Sequence, residues 1–404
     1  MFFGFTHGEA ITKYYKGNYG QLLLDAGFNS GSEAYFSGGI NAWINLKAGK
    51  YIFPPIQNEG RKITKLLDPP LQTIFYGAPG TGKSHKVKEV TDTLPKSDVF
   101  RTTFHPDSDY STFVGCYKPK MVKAPIRDGS GHEITSACED EKKRIAYEYE
   151  PQAFLKAYIQ AYKTSEPVFL VIEEINRGNC AQIFGDIFQL LDRKNGFSEY
   201  PIDADEDLKK FLQTATKEDG TPWLTNKDGI KDGKLCLPPN LHIWATMNTS
   251  DQSLFPIDSA FKRRWDWKYV KIKNESKNWT IEGGRDWWAF LKKINGIIAG
   301  MTQSADKQLG YYFCKPSGTE ISAETFVNKV CFYLWNDVFK NFGSDEYAEL
   351  FKFKVDGKDC ELTFPDFFGD NGEVDKDVAL QFIENVMKYG ESQDEPSESQ
   401  EEQA

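Results

Sequence analysis

Four largely apolar runs of strand length, at residues 71–76 (LQTIFY), 99–104 (VFRTTF), 168–172 (VFLVI) and 241–246 (LHIWAT), are followed by an alternating one at 265–272 (WDWKYVKI). The unbroken run at 168–172 predicts a strand buried on both faces. The alternation at 265–272 predicts a strand with one buried face. Between these runs the apolar period changes to that of a helix. Val87, Val90 and Leu94 mark one such stretch, and Phe154, Leu155, Tyr158 and Tyr162 a second over 151–162. Ile183, Phe184, Ile187, Phe188 and Leu191 mark a third over 179–191. Strands interleaved with helices predict an α/β fold around a parallel five-stranded sheet. Two further amphipathic helices at 287–298 and 326–342, a hairpin within 351–368 and a last helix at 378–389 predict a smaller, mainly helical domain behind it.

The remaining segments divide the chain. Residues 1–60 are rich in aromatics and glycine with weak periodicity, and read as a small module or the tail of a longer one. Tyr14, Tyr15, Tyr35, Phe36 and Trp43 could stack on bases, although packing is the commoner use of such residues. Residues 63–70 form a connector that ends at Pro69-Pro70. The polar stretch 121–143 predicts an exposed hairpin or loop, and 198–233 is too long for a plain loop and predicts a small element of its own. The tail 391–404 is acidic and lacks aromatics, so disorder is expected. The division is therefore 1–60, an α/β domain over 61–275, a helical region over 276–390, and the tail 391–404.

Charge and cysteine usage narrow the class. A net charge of −10 over 404 residues, with pI near 5.2, excludes a chain that binds nucleic acid through its overall charge, while leaving room for a local basic patch. The seven cysteines are scattered singly, which fits a reduced, cytoplasmic compartment. No apolar run approaches the length of a membrane span, and the start MFFGF lacks the basic residues of a signal peptide, so no membrane partner is expected.

The first chemical signal is GAPGTGKS at 77–84, placed between a predicted strand and a predicted helix. It fits the spacing G-x-x-x-x-G-K-[ST], and strand, loop and helix form the context that this spacing requires. Gly77, Ala78, Pro79, Gly80, Thr81 and Gly82 would turn backbone N–H groups around phosphate oxygens, aided by the helix N-terminus. Lys83 would reach the β- and γ-phosphates and Ser84 would hold Mg²⁺. The second signal is Glu173-Glu174 at the end of the VFLVI run, where one carboxylate can complete a metal shell and the other can polarise water. A surface acid pair is the plainer alternative. Asn248, at the tip of the fourth strand, can orient water, or simply belong to a turn. Arg263 and Arg264 close a short helix, and could either neutralise transition-state charge in a neighbouring subunit or complement a helix C-terminus.

The order of these elements resembles that of a ring-forming AAA+ nucleoside triphosphatase. The blocks FHPDSDYSTFVGCYKP, FLVIEEINRGNCAQIFGDIFQLLDR and LPPNLHIWATMNTSDQSLFPIDSAFKRRW resemble the McrB-like branch, which lies on the dynein-related and MoxR side of AAA+ proteins and supplies the motor of modification-dependent restriction systems. The similarity runs from about residue 71 to 313. It implies ATP or GTP with Mg²⁺ as cofactors, held by the phosphate loop, with Ser84 and Glu173 at the metal and Glu174 activating water. It implies that Asn248 is a sensor and that Asp251 completes an N-x-x-D signature associated with GTP. Arg263 and Arg264 would act across a subunit boundary of a homo-oligomeric ring, expected to be a hexamer. Residues 308–313 resemble the entrance to the helical lid. A McrC-like nuclease is the implied partner, with DNA reached through that partner or through residues 1–60. The alternatives are a MoxR- or dynein-related protein-remodelling ATPase, or a nucleotide switch that hydrolyses poorly. Three departures stand out: Glu173 replaces the usual Asp, the signature reads NTSDQ, and no arginine follows Arg285, so a lid-borne sensor would be a lysine such as Lys329.

Overall fold

The computed structural model describes residues 69–123, 129–130, 132, 143–250, 255–340, 350–355, 358–361 and 363–389. The expectations for residues 1–60, for the tail 391–404 and for Asp251 lie outside the described residues. All five predicted sheet strands form: β1 (Gln72–Gly77), β2 (Val99–Thr103), β5 (Val168–Glu173), β6 (Leu241–Asn248) and β7 (Asp266–Tyr269). They make one parallel sheet in the order β7-β1-β6-β5-β2. The register sets Gly77 beside Asn248, and Thr103 beside Glu173. The carboxyl ends of three central strands thus deliver the phosphate loop, the acidic pair and the asparagine to one edge of the sheet.

Helix α1 (Lys83–Thr91) covers one face, burying Val87 against Phe75, Phe169, Val171 and Trp244. Helix α2 (Ala153–Ala161) covers the other, where Phe154, Leu155 and Tyr158 join Ile74, Leu170 and Ile243 in the larger core. The helix expected over 179–191 is divided. An α-helical turn at Cys180–Phe184 ends at Gly185, whose backbone (φ 51°) no longer follows the helix, and a tighter 3-10 stretch runs over Gly185–Leu191. Its apolar face stays buried through Ile183, Phe184, Ile187 and Leu191, which is why the periodicity was readable although the helix is broken. The stretch 198–233 holds helix α3 (Glu206–Thr214), as its length suggested.

Strands β3 (Gly115–Lys123) and β4 (Lys143–Pro151) form a long antiparallel hairpin outside the sheet, in place of a hairpin or loop confined to 121–143. The start of this hairpin carries the proline and lysines of YKPK at 117–120, which give no strand signal. One of its faces leaves Met121, Ile145 and Tyr147 more than half exposed.

A second core builds the helical region. Helix α5 (Trp287–Thr302) follows α4 (Ser259–Lys262) and β7, and buries Trp287, Phe290, Leu291, Ile294 and Ile298. These pack with Phe326, Val330 and Leu334, and with Phe382 and Val386 of helix α6 (Lys376–Lys388). The stretch expected at 326–342 is helical over its described part, with wide π-type turns at Val327–Cys331 and Leu334–Val338. No helix of the described residues is long and apolar enough to cross a membrane.

Candidate active site

The phosphate loop links β1 to α1 through three glycines with positive φ, Gly77 (146°), Gly80 (76°) and Gly82 (85°). Side chains rarely adopt such angles, so the loop can close tightly only with glycine there. Lys83 is buried, and its Nζ donates to the carbonyls of Gly77 and Ala78, both at 2.9 Å. Thr81 Oγ1 donates to Ala78 O at 3.0 Å. The ammonium is thereby held along the inner side of the loop.

Glu173 meets Ser84 across the sheet edge. Ser84 Oγ donates to Glu173 Oε2 at 2.8 Å, Thr246 Oγ1 donates to the same oxygen at 2.6 Å, and Arg101 Nη1 reaches Oε1 at 3.1 Å. The extra methylene of glutamate does not separate this carboxylate from the phosphate loop. Two hard oxygen donors side by side suit Mg²⁺, which takes few protein ligands and completes its shell with water and phosphate.

The next residue points elsewhere. Glu174 sits in the left-handed region (φ 55°, ψ 49°), an unusual state for glutamate that costs of order 1 kcal/mol and must be held by its surroundings. Its backbone N–H donates to Thr246 Oγ1 at 3.2 Å. Its carboxylate receives Asn248 Nδ2 at 2.8 and 3.0 Å, with Arg177 Nε 3.5 Å away. Thr246 therefore ties both glutamates, and the left-handed turn directs them to different partners. Asn176 Nδ2 in turn donates to Asn248 O at 2.8 Å, fixing the tip of β6. The structure brings together the phosphate loop, Glu173, Glu174 and Asn248.

The two arginines are separated. Arg264 is nearly buried, with Nε and Nη2 on Asp192 Oδ2 at 2.9 and 2.6 Å, Nη1 on Ala260 O, and its guanidinium 3.9 Å from the Phe188 ring centre. It is engaged within its own chain. Arg263 is exposed at the end of α4. Lys329 is exposed in the helical region.

Residues 72–265 match the family described as AAA domain (dynein-related subfamily). The chain is 36% identical over 330 residues to the type II restriction enzyme BsuMI component YdiS of Bacillus subtilis, covering 75% of this chain and 91% of that protein. The chain belongs to the McrB-like AAA+ proteins. It is also 24% identical over 199 residues to the type IV methyl-directed restriction enzyme EcoKMcrB subunit of Escherichia coli, covering 48% of this chain and 33% of that subunit.

For a McrB-like AAA+ protein, four residues around the site were not singled out from the sequence. Thr246, Arg101, Asn176 and Arg177 hold the two glutamates and the asparagine in place. Thr246 carried a signal, as a hydroxyl within an otherwise apolar strand, and so did Arg101 as a charge within another. Nearby, burial and then Asp258 push the Cys180 thiol up to about 12, and its Sγ donates to Ile175 O at 3.3 Å, so it packs as an inert neutral group.

Proposed function

We propose that this chain hydrolyses a nucleoside triphosphate, ATP or GTP, with Mg²⁺, as the ring-forming motor subunit of a restriction complex whose nuclease resides on a partner. The observation that carries the hydrolytic part of this reading is the arrangement of Glu174 and Asn248 beside the phosphate loop. Asn248 Nδ2 binds both oxygens of Glu174, so the carboxylate has a fixed direction and remains an acceptor for the proton of an attacking water. Lys83 compensates phosphate charge, and Ser84 with Glu173 would hold the metal, which supplies further neutralisation of the phosphate oxygens. The 2.8 Å contact between Ser84 and Glu173 supports turnover over a poorly hydrolysing switch. Arg263, exposed at the end of α4, is the candidate to complete a neighbour's site. The names of the two relatives support the restriction setting over protein remodelling.

Phosphate release by the purified chain, with ATP and GTP in competition, tests the reading directly. Turnover that needs Mg²⁺ and disappears in Lys83→Ala is expected. Stimulation by a McrC-like nuclease, when the two are mixed, supports the restriction assignment. Equal turnover in Lys83→Ala overturns the site.

A further inference from the structure

The phosphate loop is gripped from outside by a segment of the helical region. Gly310 N donates to Pro79 O and Tyr312 N to Gly80 O, both at 2.8 Å. The alternate residues of this segment face the other way: Leu309 and Tyr311 are buried in the helical core. Contact between the two backbones is close enough to require glycine on both sides. A Cβ on Gly310 would lie 2.2 Å from Gly80 C, and a Cβ on Gly80 would lie 2.4 Å from Phe313 N.

The segment is itself held by α5. Asn295 is buried in the middle of that helix, and its side chain makes both backbone hydrogen bonds of Leu309. Nδ2 donates to Leu309 O at 2.8 Å, and Oδ1 accepts from Leu309 N at 2.7 Å. Trp287 Nε1 fixes the next alternate residue by donating to Tyr311 O at 2.9 Å.

We infer that Asn295 is a positioning residue for the phosphate loop, acting through the segment 309–312. In a trans peptide the C=O and the following N–H point in opposite directions. Holding Pro79 O and Gly80 O against the lid segment therefore turns the N–H groups of Gly80 and Thr81 to the opposite side of the loop. Those are donors that a phosphate cradle needs, set in direction before any ligand arrives. The consequence for binding rests on the nucleotide reading above, whereas the clamp itself does not.

The test uses the full chain, with inorganic tripolyphosphate and with ATP and GTP as probes. Asn295→Leu keeps the volume and removes both bonds to Leu309. Asn295→Asp keeps the acceptor and removes the donor. Gly310→Ala leaves Asn295 intact and pushes the segment off Gly80. Asn295→Leu and Gly310→Ala are each expected to weaken tripolyphosphate, ATP and GTP by the same factor, about tenfold for a lost buried hydrogen-bond pair, and Asn295→Asp, which sets a carboxylate oxygen against Leu309 O, by at least as much. The ATP-to-GTP ratio stays unchanged, and hydrogen exchange at the Gly310 and Tyr312 amides accelerates. Unchanged tripolyphosphate affinity in Asn295→Asp and Gly310→Ala, with only a lowered melting temperature, overturns the inference; Asn295→Asp carries the test if Asn295→Leu does not fold. If wild type binds none of the probes, the nucleotide reading falls, and exchange at the two amides still decides whether Asn295 holds the clamp.

Discussion

Two adjacent arginines that look equivalent in the sequence should behave as opposites. Arg264 pairs with Asp192 at 2.6 Å with side-chain exposures of 9% and 25%. Asp192→Ala leaves a mostly buried guanidinium with no counter-charge, which costs about 3 kcal/mol, at the low end for a buried pair because Asp192 is partly wet. Arg264→Ala removes the same pair and its contact with the Phe188 ring, for a loss of about 3 kcal/mol. Arg263→Ala removes an exposed side chain and should change stability by less than about 0.5 kcal/mol. Urea denaturation followed by tryptophan fluorescence reads the difference; with a slope of about 3 kcal/mol/M, the midpoint falls by about 1 M for Asp192→Ala and Arg264→Ala and holds for Arg263→Ala. Turnover then reverses the order of interest. Folded Arg263→Ala should lose about a thousandfold in turnover if it completes a neighbour's site. Mixing it with Lys83→Ala should restore part of that, because some intact loops then face intact arginines. A stable Arg264→Ala would rule out the buried ion pair with Asp192, and an Arg263→Ala mixture as inactive as its components would rule out a shared site.

Glu173→Asp draws the carboxylate back by about one 1.5 Å bond, away from Ser84 and Thr246, and should raise the Mg²⁺ needed for half-maximal phosphate release about tenfold. Thr246→Val keeps the shape of β6 but removes the hydroxyl shared by both glutamates; it should cost about 1–2 kcal/mol and lower turnover, measured by denaturation and phosphate release. Lys163 lies at the surface, where partial desolvation of its ammonium and then the neighbouring Lys217 push it down to about 8 from the usual 10.5. The unfolded chain therefore binds more protons than the folded one between those values, so stability from this group rises as pH climbs from about 8 towards 10. Lys163→Met should flatten that rise in a series of melting temperatures against pH.

The sheet and the centre of the site were legible because they rest on local signals. Apolar runs of strand length ended in GAPGTGKS, in Glu173-Glu174 and in Asn248, and a parallel sheet brings such ends to one edge. The supports were not legible, since Thr246 and Arg101 meet Glu173 across 73 and 72 residues of chain. The arginines look alike as neighbours in sequence, yet successive residues at a helix end point about 100° apart, which sends Arg264 to Asp192 and Arg263 to solvent. The break at Gly185 left no trace in the apolar period because both halves keep one buried face. Asn295 did leave a trace, as an uncharged polar residue in the apolar helix WWAFLKKINGIIAG, but its partner Leu309 became visible only in three dimensions.

Glu174→Gln decides whether Glu174 activates water at a nucleotide held by the phosphate loop. The amide keeps the shape of the carboxylate but cannot accept the proton. Binding of a fluorescent nucleotide and release of phosphate should be measured on the same purified sample. Wild-type nucleotide affinity is expected, with phosphate release reduced at least a hundredfold, the low end for a lost general base. Phosphate release at the wild-type rate contradicts that role for Glu174.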